Sequence, residues 1–163
     1  MIFYNINSAI IPRFKNLIKS FFMSTPSTKI FSSIWSNEND KTFWFSRSSW
    51  SLFFICKWYK KIKHKKTLKI WIPDFFCDES LELIRQLGVE IIFYPIKEKS
   101  EPLIDLFPQI NDVNRPDLFL LVHYFGYPTS TKDVLKFCSN HNSILIEDAA
   151  HAIGASIQGI RAG

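Results

Sequence analysis

Apolar residues along this chain come in two rhythms, and the switches between them divide it into elements. From residue 68 onward, short runs that are apolar almost throughout recur at Leu68 to Ile72, Val89 to Tyr94, Leu118 to Val122 and Ile144 to Ile146. Such runs, in place of strict alternation, mark strands covered on both faces, as in a parallel sheet. Pro73 and Pro95 stop the first two. Between the strands the period becomes helical. One helix is expected from about Ser80 to Leu87, ended by Gly88 at a C′ position, and another from Thr131 to Asn140 with Val134, Leu135 and Cys138 inward. Upstream, Phe43 to Phe45 reads as a short strand leading into a helix. One face of that helix carries Trp50, Phe53, Phe54 and Trp58, broadened by Leu52, Ile55 and Tyr59. Residues 97–117, broken by Pro102, Pro108 and Pro116, leave room for one short helix near 103–110. This strand–helix alternation predicts an α/β fold: a mostly parallel sheet with flanking helices and right-handed crossovers.

The N-terminal part is different. Ile10, Ile11, Phe14, Leu17, Ile18, Phe21 and Phe22 fall on one helical stripe, with Arg13, Lys15 and Lys19 between them. Such a helix packs on its parent domain or a partner subunit, or lies on an anionic membrane. Residues 24–42 have polar turn chemistry and read as a connector. Two units are therefore expected: an N-terminal helix and connector over 1–42, and an α/β domain over 43–163.

Composition narrows the class. A chain that is 47% hydrophobic and 21% charged has the material for a core and is not disordered. The three cysteines are far apart and include no CxxC pair, which argues against a disulfide framework or zinc knuckle and for a reducing, cytoplasmic setting. No run of 18 apolar residues exists to span a membrane, and the N-terminus lacks a signal-peptide pattern. The basic run KWYKKIKHKK at 57–66 interleaves aromatics with lysines, a pattern also seen where nucleic acid binds. Lysines gather at helix C-termini for electrostatic reasons, however, so a solvated face is expected there and no nucleic-acid partner.

The candidate chemistry lies at strand ends. Asp148 follows Ile144 to Ile146 directly, at the carboxyl end of a buried strand, where ligands of open α/β sheets sit. Small residues surround it: Ala149, Ala150, Ala152, Gly154 and Ala155. The alternative is an acid that only caps the next turn. Ser46, Arg47 and Ser48 stand between a strand end and a helix start, where free N–H groups and hydroxyls suit a phosphate or serve as a plain helix cap. His123 occupies another strand's carboxyl end, as scaffold or as a site contact. Asp148, His151 and His123 match no standard metal-ligand spacing, so no metal is expected.

Two of these stretches resemble a known family. VHYFGYP at 122–128 and EDAAHAIGA at 147–155 look like the DegT/StrS-type aminotransferases, where "VHLYGQP" is followed about twenty residues later by "EDAAQAHGA". More weakly, the resemblance runs from about residue 43 to the last residue. It implies the first part of the large domain of a fold-type I enzyme dependent on pyridoxal phosphate (PLP). It also implies transfer of an amino group from an amino acid, typically glutamate, to a keto-sugar nucleotide, for surface polysaccharides or related glycosides, by a homodimer.

By resemblance Asp148 holds the cofactor's ring nitrogen, and His151, where the family usually has Gln, stands near the phenolic oxygen. Ser46, Arg47 and Ser48 hold the phosphate, with Ser46 where the family has Gly. Phe76, or its neighbour Phe75, stacks on the ring, although the matching position four after Pro73 is Cys77; without the resemblance both rings read as core. The family's Schiff-base lysine follows some twenty residues after an "SFGD" segment, whereas no lysine follows Lys136 here. No turnover is therefore expected of this polypeptide alone. The alternative is a non-catalytic α/β remnant or binding module.

Overall fold

The computed structural model describes residues 14–22, 32–33, 40–97, 101–107, 110–111 and 113–163. Most of the expected connector at 24–42, and residues 10–13 of the expected N-terminal helix, lie outside them. Helix α1 covers Phe14–Phe22. The body then runs α2 (Ser48–Ile62), β1 (Leu68–Pro73), a 3₁₀ turn at Asp78–Leu81, α3 (Glu82–Gln86), β2 (Val89–Tyr94), a 3₁₀ turn at Ile104–Leu106, β3 (Leu118–Val122), α4 (Lys132–Asn140) and β4 (Ile144–Asp148). A two-stranded antiparallel ribbon, β5 (Ser156–Ile157) and β6 (Ile160–Arg161), follows.

The four main strands form one parallel sheet in the order β2-β1-β3-β4. Leu68 pairs with Val89, Ile70 with Leu118, and Leu118 with Ile144. Successive side chains of a strand point to opposite faces, and the two faces have separate cores. Leu68, Ile70, Ile72, Leu118, Leu120 and Val122 point to α2 and α3, meeting Leu52, Cys56, Tyr59, Leu81 and Ile84. Trp71, Phe119 and Leu121 point the other way, onto Val134, Phe137 and Cys138 of α4 and onto Phe107. That second core is built of rings: Tyr94 stacks on Phe119 at 4.6 Å, and Phe107 meets Phe137 edge-on at 5.2 Å. Two polar tips are satisfied inside it. The Tyr94 hydroxyl donates to the Leu120 carbonyl at 2.7 Å, and the Trp71 indole N–H donates to the Asn114 carbonyl at 2.9 Å.

The strands and the parallel sheet agree with the sequence expectation. Gly88 also ends α3 as expected, at φ +64°, with its N–H bonded to the Arg85 carbonyl. Four local expectations are corrected. Phe43 to Phe45 is not a strand: no described strand lies beside it to take its N–H and C=O groups, and its rings are exposed. The stripe Trp50, Phe54, Trp58 of α2 faces outward, and Leu52, Cys56 and Tyr59 face the sheet. Both sides of α2 are apolar, so periodicity alone offers two stripes; the sheet takes the one without tryptophan. In α4, Phe137 is buried and Leu135 exposed, because residues 134, 137 and 138 share one side and 135 lies a quarter-turn away. Finally, β4 is half-buried and not covered on both faces, since it is an edge of the sheet.

Candidate functional site

Chain direction across the sheet places the site. From β1 the chain moves outward to β2, then returns to the opposite side of β1 for β3 and β4. The order therefore reverses between β1 and β3, and the crevice outside the carboxyl ends of strands at such a switch point is where α/β sheets bind ligands. A crevice of about 410 Å³ opens there, lined by Phe75, Phe76 and Cys77 after β1, Val122 and Tyr124 around the end of β3, Asp148 at the end of β4, Ala150, His151, and Ser48 and Ser80. A smaller cavity of about 150 Å³ adjoins it and shares Ser48, Phe76, Ser80 and Asp148, adding Ser49, Ser51 and Glu147 among its walls.

Of the residues singled out from sequence, Ser48, Phe75, Phe76, Asp148 and His151 thus share one crevice. Residues 48 and 148 meet there although a hundred positions separate them. Ser46 and Arg47 stand just outside it, exposed, with Arg47 in the extended N-cap conformation (φ −148°, ψ 150°). No side chain caps α2, so its first-turn N–H groups, at Ser48 and Ser49, lack acceptors within the helix. That end of the crevice therefore presents donors and hydroxyls. Asp148 presents a half-buried carboxylate, and one of its oxygens accepts the Ala150 N–H at 3.0 Å. The acid thus caps its turn and lines the crevice; the two readings from sequence are compatible.

Phe76 is half-buried and packs on the core, whereas Phe75 is exposed. Phe75 belongs to a ring cluster with Tyr124 at 5.7 Å and Phe125 at 6.4 Å, and Phe125 in turn stacks on His151 at 6.1 Å. From sequence Tyr124 stands at the carboxyl end of the 118–122 strand, within VHYFGYP, with no role attached to it. Its hydroxyl donates to the Phe75 carbonyl, tying the loop after β1 to the end of β3. Burial, reinforced by the nearby Asp148 and Asp74 carboxylates, pushes its pKa up to about 12, so it remains a donor. Phe125 adopts φ +54°, unusual for a ring-bearing residue. That conformation belongs to the turn at the crevice wall.

His123 is a scaffold residue. It is 0% exposed; its Nδ1 accepts the Thr129 N–H at 2.9 Å, so Nε2 carries the proton and donates to Glu147 at 2.9 Å. Its backbone N–H also bonds the Asp148 carbonyl at 2.9 Å. Glu147 further accepts the Gly163 N–H at 3.1 Å. The His123 hydrogen bond, outweighing the opposing effect of burial and helped by Gly163, holds the Glu147 carboxyl below the usual range. One buried imidazole thus locks the ends of β3 and β4 and the 127–131 loop together beneath Asp148. Among the described residues, no group of three His, Cys, Asp or Glu side chains is arranged to hold a metal ion.

Comparison with known proteins agrees with this layout. Residues 81–163 match the model of the DegT/DnrJ/EryC1/StrS aminotransferase family. The chain is 28% identical to the GDP-perosamine synthase of Vibrio cholerae over 100 residues, covering 58% of this chain and 26% of that enzyme. It is 39% identical over 49 residues to an uncharacterized protein of Methanocaldococcus jannaschii, covering 30% of this chain and 13% of the other. Among solved structures, the E. coli GDP-4-keto-6-deoxy-D-mannose-3-dehydratase with bound hydrated PLP superposes with a TM-score of 0.69 at 18% identity, over 91% of this chain and 40% of the other. DesV of S. venezuelae does so with a TM-score of 0.52 at 20% identity, over 68% and 30%. The chain spans about a quarter of the length of the perosamine synthase. Fold, crevice and the match over its second half lead to one conclusion: this chain belongs to the DegT/DnrJ/EryC1/StrS aminotransferase family.

Proposed function

We propose that this chain supplies the PLP-holding part of an aminotransferase that moves an amino group from an amino acid, glutamate in the first instance, to a keto-sugar nucleotide used in surface polysaccharides or glycosides. The observation that carries this reading is the shared crevice of Ser48 and Asp148 at the sheet's switch point. The crevice chemistry fits a small aromatic phosphate ester. The crevice walls offer uncapped N–H groups and serine hydroxyls, the rings of Phe75, Phe76 and Tyr124, and a carboxylate. A volume of about 410 Å³ also suits a small-molecule site, which typically has about 300–1,000 Å³.

In this assignment Ser48, with Ser46 and Arg47 beside it, holds the phosphate; Phe76 or Phe75 lies against the ring; His151 donates to the phenolic oxygen; Asp148 keeps the ring nitrogen protonated. When bound, PLP supplies an electron sink for carbanion chemistry. Asp148 serves that sink by electrostatics, because a carboxylate in a partly desolvated crevice favours a positive partner. Tyr124 and the His123–Glu147 pair fix the walls. We further propose that residues 1–42 form a unit apart from the cofactor-binding residues 43–163, that the whole enzyme is a cytoplasmic homodimer, and that this chain alone does not turn over.

The test is a PLP titration of the purified chain by absorbance, with Asp148→Asn as comparison. Asparagine retains the oxygen that accepts the Ala150 N–H and removes only the charge. Saturable, non-covalent binding is expected, weaker by about tenfold or more in the variant, with no product from any keto-sugar nucleotide. Stoichiometric trapping of PLP on one lysine by borohydride would refute the inactivity. Absence of saturable binding would instead favour a non-catalytic remnant.

A further inference from the structure

Charge is divided unevenly along this chain. Residues 1–73 hold 13 Lys and Arg against two acids, whereas residues 74–163 hold seven against 13. No Asp or Glu occurs between Asp40 and Asp74, a stretch that includes all of α2. The buried side of α2 is Leu52, Cys56 and Tyr59. At 100° per residue, the side directly opposite carries Trp50, Phe54, Lys57, Trp58 and Lys61. Trp50, Phe54 and Trp58 are 40%, 46% and 53% exposed. Rings cluster around the first two: Phe45 stacks on Phe54 at 5.3 Å, Trp50 lies 6.3 Å from Phe54, and the Lys57 ammonium sits 5.8 Å over the Phe53 ring, with Trp58 one turn further along the same face.

We propose that this outer face of α2 docks the protein on an anionic phospholipid surface. Tryptophan and phenylalanine rings flanked by lysines, with no acid among them, are the composition of helices that lie in the headgroup region. Rings enter the acyl boundary there, while long lysine stems reach the phosphates. Continuity of the rings favours a bilayer over a nucleic acid, for which aromatic side chains serve as separate platforms for successive bases. Charge complementarity favours it over an acidic protein partner, which would leave the ring patch itself unmatched. Helix α1 has the same makeup, with exposed Phe14, Phe21 and Phe22 beside Lys15 and Lys19. The α2 face contains no residue assigned to the crevice, so this surface and the cofactor reading stand or fall separately.

The experiment is sedimentation of the intact 163-residue chain with vesicles of pure phosphatidylcholine, and with vesicles containing about one third phosphatidylglycerol. Binding to the anionic vesicles alone is expected, with a blue shift of tryptophan emission and loss of binding at about 1 M salt. The Lys57→Gln/Lys61→Gln pair should weaken partitioning roughly 30-fold, from about fivefold per lysine. Trp58→Ser should weaken it roughly tenfold. Both changes lie on the outer side, and circular dichroism checks that the fold is kept. The proposal is overturned by equal binding to both vesicle types or by none. It is also overturned by duplex DNA that displaces the vesicles, or by a dimer in solution that Trp58→Ser dissolves, which would make the face a partner's seat.

Discussion

His123 joins two strand ends and a loop through one buried ring, and the structure sets the scale of what its loss would cost. His123→Ala removes a fully buried ring and two hydrogen bonds at once. The Thr129 N–H, in a residue 7% exposed, loses its acceptor, at about 1–3 kcal/mol. Glu147, 24% exposed in its side chain, loses a donor but keeps the Gly163 N–H, which limits that loss to about 1 kcal/mol. With the void left by the ring, the sum is about 3–5 kcal/mol, a large part of the roughly 5–15 kcal/mol that holds a domain together. Glu147→Gln retains an oxygen for the His123 N–H and should cost only about 1 kcal/mol. Urea unfolding of wild type, both single variants and the double variant gives the coupling, expected at about 1–2 kcal/mol. The pH dependence has a definite sign. Since the folded-state pKa of Glu147 is depressed, its contribution is complete above the ordinary glutamate value of about 4.3 and is lost as pH falls through the lower folded value. Glu147→Gln should therefore show a flatter loss of stability in acid. A coupling below about 0.3 kcal/mol, or identical acid limbs, would refute the idea that this pair joins the strand ends.

Thiol chemistry gives a second check. Burial pushes Cys56 up to about 12 and Cys138 up to about 11, and Cys77 is exposed, so a thiol reagent near neutral pH should label Cys77 alone until denaturant releases the other two. In α4, Phe137→Ala should cost about 3–5 kcal/mol in urea unfolding and Leu135→Ala within about 0.5 kcal/mol, because only Phe137 packs on Trp71, Phe107 and Phe119. Equal losses would restore the inward Leu135 that periodicity suggested. In β2, Tyr94→Phe should cost about 1 kcal/mol by removing the hydroxyl that donates to the Leu120 carbonyl; no measurable loss would show that bond to be idle.

The sequence by itself determined the strands and their direction. Apolar runs at 68–72 and 118–122 are long enough to pair and too uniform to face water, the shorter run at 144–146 pairs beside them at the sheet's edge, and helical stretches between strands favour parallel connections. Asp148 was legible for the same reason, since a charged residue ending such a run must emerge at the sheet's rim. Local pattern failed where two answers fitted it equally. Helix α2 is apolar on two sides, and only the sheet beneath it selected Leu52, Cys56 and Tyr59 over the tryptophans. Phe43 to Phe45 has strand composition, but a strand needs a neighbour, and the partners of a segment are not written in it. The same holds for His123, Tyr124 and Glu147. Tyr124 meets Phe75 because β1 and β3 are neighbours, His123 meets Glu147 because β3 and β4 are, and Thr129 and Gly163 reach that pair through the loops that follow each strand. Periodicity encodes which face of an element is buried when one face is apolar; which partner it meets is settled by the order of strands in the sheet.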